Sequence, residues 1–174
     1  DWALTTQQLG YLGSAGMLGM ALGAALSGMV ADKWGRRTVI MLTLIIYGTA
    51  SILSGFAVNY PMLLCLRFAT GFGLGGELPA ASTLISELSP SKIRGRNVIF
   101  LESFWAWGWI IAALVAYLLI PAFGWRTAFV VGGVPAIFAA VIRKAIPESP
   151  RFLEAAGRAK EADEIVKRME TEAG

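Results

Sequence analysis

The chain has 174 residues, 56% of them apolar and 16% charged, with 20 glycines, no histidine and a formal net charge of +3. Its mean hydropathy is +0.61 and its pI about 9.3. That balance excludes a disordered chain, a nucleic-acid module and a disulfide-stapled secreted domain. Without histidine there is no imidazole base, no Ser-His-Asp triad and no His-ligated metal. The single cysteine, Cys65, lies in an apolar run and offers neither a disulfide nor a thiolate cluster.

In chain order, five apolar stretches stand between short polar breaks, at about 6–30, 38–58, 61–88, 97–120 and 125–146. A bilayer core ~30 Å thick needs roughly 20 helical residues, so each is long enough to cross. A barrel strand would be half as long and would alternate. The expected fold is all-α: a polytopic membrane bundle over residues 1–146, with the lipid bilayer as its first partner. Of the 15 basic residues, 13 fall in the loops after the first and third stretches, at the end of the fifth stretch and in the tail, while the opposite loops carry no charge. The positive-inside rule puts those basic loops and the C-terminus in the cytoplasm and Asp1 outside. An outside start with nothing before it predicts a missing preceding helix. Residues 147–174 form a different segment, in which apolar positions from Phe152 to Met169 recur at helical spacing among charges. They predict a cytoplasmic amphipathic linker helix, started by Ser149 and Pro150.

Several motifs carry more than topology. In the first span Ala15, Gly19, Gly23 and Ser27 form a small-residue ladder that allows close helix packing. The first basic loop orders Gly28, Asp32, Gly35, Arg36 and Arg37, a pattern suited to an ion-pair latch between helices that move. Arg67, Glu77 and Glu102 lie within spans, where an ionised centre is costly and a bundle interior or water-filled cavity is its usual setting. Arg67 shares a stripe with Gly71 and Gly75 and so faces a close neighbour. Glu102, Trp105 and Trp109 fall on one helix face, joining a carboxyl that can carry a proton to two surfaces that stack on a flat ring. The alternative is that these tryptophans only pack between helices, the reading adopted for Trp107. For Glu77, two residues before Pro79, a proton site, a substrate contact and a structural pair all stay open.

The first loop resembles the signature between the second and third helices of the major facilitator superfamily. Pro147 to Arg151 is similar to the motif after helix six in its sugar porters and organic-ion transporters. Arg67, Glu87 and Arg94-Gly95-Arg96 match the spacing around helices four and five. The stretches from Gly73 to Thr83 and from Leu101 to Trp109 resemble those of niacin-permease-like metabolite:proton symporters, a branch related to synaptic-vesicle-like transporters. The resemblance implies helices two to six of an expected twelve, with the first helix and the C-terminal half of the same protein absent from the chain. It further implies a monomeric working unit in the cell inner membrane. It gives Arg67 a proton-coupling role with an acid on helix one, and gives Glu102 the position of a substrate-contacting glutamine. It places Glu87, Arg94, Glu148 and Arg151 with Asp32 and Arg36 in a cytoplasmic gating network.

The reading is a secondary transporter, not an enzyme. It would take up a small organic anion such as nicotinate or another aromatic acid by proton symport. No nucleotide loop or metal constellation is present, so a proton gradient replaces any cofactor. A Rossmann loop at Gly71–Gly76 is set aside because no strand precedes it. A sugar:proton symporter and a non-transporting membrane module are the alternatives. A channel fits less well, since the short outer loops offer no re-entrant filter.

Overall fold

A computed structural model describes residues 2–173; Asp1, whose outside location was expected, lies beyond the described residues. Helices account for the ordered elements: α1 (Thr6–Trp34), α2 (Arg36–Gly55), α3 (Tyr60–Leu88), α4 (Arg94–Phe123), α5 (Trp125–Gly132), a 3-10 turn (Val134–Ile137), α6 (Phe138–Ala145), α7 (Pro150–Ala155) and α8 (Ala159–Ala173). There is no strand among the described residues. By length and apolarity α1, α2 and α4 qualify as membrane spans. The 29-residue α3 is long enough as well, but carries Arg67, Glu77 and Glu87.

The helix starts follow from local chemistry. The hydroxyl of Thr5 accepts the Gln8 backbone N–H, and the Gln8 side chain accepts the Thr5 N–H at 2.9 Å, a reciprocal cap for α1. Asn59 caps α3 by accepting the Met62 N–H at 2.9 Å, with Pro61 in the first turn. Ser149 caps α7 with Pro150 behind it, the start read from the sequence.

Small residues decide the packing. Gly19, Gly23 and Ser27 are buried along one side of α1, as the ladder predicted. A Cβ on Gly19 would lie 2.2 Å from the Phe68 carbonyl oxygen, one on Gly23 2.1 Å from that of Phe72, and one on Gly71 2.0 Å from that of Gly16. The contacting numbers rise together, so α1 and α3 run parallel with their backbones nearly touching. α2 crosses α3 antiparallel, Tyr47 meeting Gly73 while Val39, Ile40 and Leu44 pack with Ala80 and Leu84 nearer the basic loops. That apolar core also takes in Ala31 and Ala139.

Two expected helices are broken. The last apolar stretch divides after Gly132, because Pro135 cannot donate to the helix ladder. At the break α2 comes very close: a Cβ on Gly133 would sit 2.3 Å from Ile52 Cγ1, and one on Gly48 2.1 Å from the Cβ of Ala136. The tail is two helices rather than one, turned at Gly157, whose φ of +76° favours glycine. Leu153 of α7 and Ala162 of α8 are buried in that turn. In contrast, α4 buries no residue.

Candidate functional site

Apart from Glu77, the expected site residues fall into three separate places. The first is a cavity of about 440 Å³ at the end away from the basic loops, lined by Trp2, Leu9, Gly13, Arg67, Trp125 and Phe129 among others. Arg67 is half-buried and its guanidinium lies over the Phe129 ring, 4.8 Å from the centroid. Its Nε is buried without a hydrogen-bond partner. Gly71 and Gly75 continue its stripe against Gly16 and Met20 of α1, as the spacing implied. Arg126, at the start of the last apolar stretch, has a structural task here. It donates to the Gly55 carbonyl at the end of α2 at 3.1 Å and sits over the rings of Trp125 (4.9 Å) and Trp2 (5.7 Å). A cation at a helix C-terminus is favourably placed, and nearby tryptophans made this role partly readable.

The second place is the face of α4. Glu102, Trp105 and Trp109 lie on it side by side, and all three are exposed, Trp105 by 43% and Trp109 by 68%. None of the three lines the Arg67 cavity. Trp107, expected between helices, is 60% exposed. Glu77 is in neither place; it is half-buried on α3.

The third place is the latch, assembled from three segments distant in sequence. Arg36 pairs with the exposed Asp32 at 2.8 Å and with the buried Glu87 at 3.4 Å, and its Nη1 donates to the Ala31 carbonyl at 3.2 Å. Glu148 turns back onto the start of α2, where one carboxylate oxygen accepts the Arg37 N–H at 3.1 Å and the Ser149 N–H at 3.0 Å. An anion there meets the free N–H groups and positive end of the helix. Gly35, with φ +92°, makes room: a Cβ there would lie 2.3 Å from the second Glu148 oxygen. The Ser149 hydroxyl donates to Glu87 while accepting the Phe152 N–H, so one buried side chain joins the latch to α7. Ser149 was recognised only as a helix cap, since its partner is 62 residues away. Arg94 and Arg151 are exposed and form no ion pair among the described residues, and Gly28 is open to its surroundings.

The arrangement offers a guanidinium with no ion pair among the described residues, a carboxyl with two indoles, and a charged fastening at the basic end. No group of ligating side chains that could hold a metal occurs among the described residues. Comparison with known proteins follows the same line. Residues 2–174 match the family model for "Sugar (and other) transporter". The chain is 52% identical over 174 residues to the niacin transporter NiaP of Acinetobacter baylyi, covering all of this chain and 40% of that protein. It is 36% identical over 171 residues to the 4-hydroxybenzoate transporter PcaK of the same species, covering 97% of this chain and 37% of that protein. Its fold is similar to that of the xylose transporter XylE from E. coli in a partially occluded inward-open conformation. The TM-score is 0.80 at 23% identity, over 93% of this chain and 43% of that one. The chain thus spans well under half the length of the relatives it matches.

Proposed function

Because the chain belongs to the sugar (and other) transporter family of the major facilitator superfamily, a family of membrane transporters rather than enzymes, we propose that the intact protein takes up a small aromatic carboxylate such as nicotinate together with a proton. The observation that carries this reading is the α4 face, where Glu102 stands beside the uncovered rings of Trp105 and Trp109. The relatives named for niacin and 4-hydroxybenzoate support it, since both names denote planar aromatic acids.

The charges give the coupling logic. An ionised Glu102 repels a substrate carboxylate, so the complex forms with Glu102 protonated, and the proton and the anion travel as a neutral pair. The indoles stack on the ring. Arg67 supplies a fixed positive charge near the opposite end of the path from the latch. The two halves of the whole transporter rock about a midplane site. The Arg36–Glu87 pair with its Asp32, Glu148 and Ser149 contacts then fastens the cytoplasmic side in one state and releases it in the other. The basic loops and the C-terminus face the cytoplasm of the cell inner membrane. The proton gradient is the energy source, and no cofactor is needed.

The test is uptake of radiolabelled nicotinate by the full-length protein in proteoliposomes with an imposed pH gradient. Trp109→Ala should weaken apparent affinity roughly 2- to 10-fold, the value of one aromatic contact. Uptake of xylose but not nicotinate would move the protein to the sugar substrates, and uptake of neither would favour a non-transporting module.

A further inference from the structure

The seam between α2 and α3 holds a titratable group that the substrate path above does not use. Gly73, Glu77, Ala80 and Leu84 fall on one face of α3, and the other three are buried. Gly73 is pressed onto α2: a Cβ there would lie 2.7 Å from the Tyr47 backbone nitrogen and 2.8 Å from the Thr43 carbonyl oxygen. Below it, Ala80 and Leu84 enter the core with Val39, Ile40 and Leu44. Glu77 sits between these two anchor points, half-buried, and its carboxyl makes no ion pair and no hydrogen bond among the described residues.

Among the described residues the surroundings provide no counter-charge. From α2, Tyr47 packs against Gly73, one helical turn from Glu77 on the same face of α3. The neighbouring Thr43 hydroxyl is turned back to the Ile40 carbonyl at 2.9 Å. From α1, the adjacent Gly76 meets Gly23 and Ser27, which carry no charge, and the Ser27 hydroxyl donates to Ala24. On α3 itself Arg67 and Glu87 are each about 15 Å away along the axis. α4 meets α3 at Ser89 and Asn97, and α7 meets it through Glu87 and Ser149, both beyond Glu77.

We propose that Glu77 is a proton-exchange site whose protonation state is coupled to the packing of α2 on α3, where Tyr47 is the nearest titratable residue of α2 along the seam. The neutral acid fits a closed seam, whereas the carboxylate, with no cation beside it among the described residues, requires water there. In the exchange the acid O–H bond breaks, its electron pair stays on the carboxylate, and the proton passes to water admitted as the seam loosens. This extends the transport reading by adding a proton site away from the substrate face, and its purpose rests on that reading.

The test does not need substrate. Thermal unfolding of the purified full-length protein is followed from about pH 5 to about pH 9, where any group titrating differently in the folded and unfolded states leaves a slope. Glu77→Gln should remove one component of the wild-type pH dependence, and Tyr47→Phe should displace that component along the pH axis. A Glu77→Gln curve parallel to wild type across the range would overturn the proposal. If Glu77→Gln does not fold, Glu77→Asp must keep the component with a displaced midpoint, and an unmoved curve would overturn it. A normal Glu77 component in a protein that takes up no aromatic acid would retire the transport reading and leave the proton site standing.

Discussion

α1 and α4 are of nearly equal length, 29 and 30 residues, yet one is clasped by its neighbours and the other buries nothing. Apolarity does not account for the difference, because α4 is the more hydropathic of the two. What separates them is the small-residue ladder. Lipid tails are as apolar as leucine, so helices in a membrane associate through close packing of small residues. α1 presents Gly19 and Gly23 to the α3 backbone, whereas a Cβ on Gly95 or Gly108 of α4 would meet nothing within 4 Å. Within this chain α1 and α3 are therefore packed backbone to backbone, and α4 leaves its side chains uncovered.

The sharpest way to break this contrast is to enlarge the glycines. Gly71→Leu should prevent recovery of folded full-length protein, because even a Cβ collides with the Gly16 backbone. Gly71→Ala should lower stability by about 1–3 kcal/mol. Gly108→Ala in α4 should be neutral or stabilising, as alanine is the better helix former by up to ~1 kcal/mol. Thermal melts in detergent read all three, and a Gly71→Ala protein as stable as wild type would remove the close packing from this account.

A smaller effect separates the two partners of Arg36. Glu87 has an almost fully covered side chain and also holds Ser149, so Glu87→Ala should cost about 1–3 kcal/mol by taking a partner from the buried Ser149 hydroxyl and from Arg36, which keeps Asp32. Asp32 is exposed, and Asp32→Asn should cost less than about 1 kcal/mol. It should slow transport without altering substrate choice; changed specificity in uptake assays would contradict its place in the latch.

The smallest effect lies in the tail. The Arg158 side chain hydrogen-bonds Glu161 at 2.6 and 2.7 Å and holds its carboxyl below the usual range. A depressed folded value means that the contribution is present above the usual carboxylate range and is lost as pH falls through the lowered one. Amide exchange in the first turn of α8 should rise over that acidic window, and Glu161→Gln should abolish the change.

Much of this was legible in the sequence because membrane helices are constrained by length, and because small residues at fourfold spacing have one dominant use. The Gly19–Gly23–Ser27 side and the common face of Glu102, Trp105 and Trp109 follow from periodicity, and the Ser149–Pro150 helix start from capping chemistry. The break after Gly132 did not, since an unbroken apolar run hides a Pro135 whose missing N–H interrupts the helix. Ser149 to Glu87 and Glu148 to Arg37 are contacts across 62 and 111 positions, and spacing along a chain carries no signal for them. Arg94 and Arg151 have the charge for the latch, and both are exposed and form no ion pair among the described residues.

The central claim is that the intact protein moves a proton with an aromatic carboxylate through the face that α4 displays. External pH should be recorded in a lightly buffered suspension of cells that express the full-length gene and lack their own uptake systems. Adding nicotinate should alkalinise the medium, and Glu102→Gln should lose that signal while retaining exchange of labelled substrate. Alkalinisation unchanged in Glu102→Gln would take the proton away from this face and contradict the account.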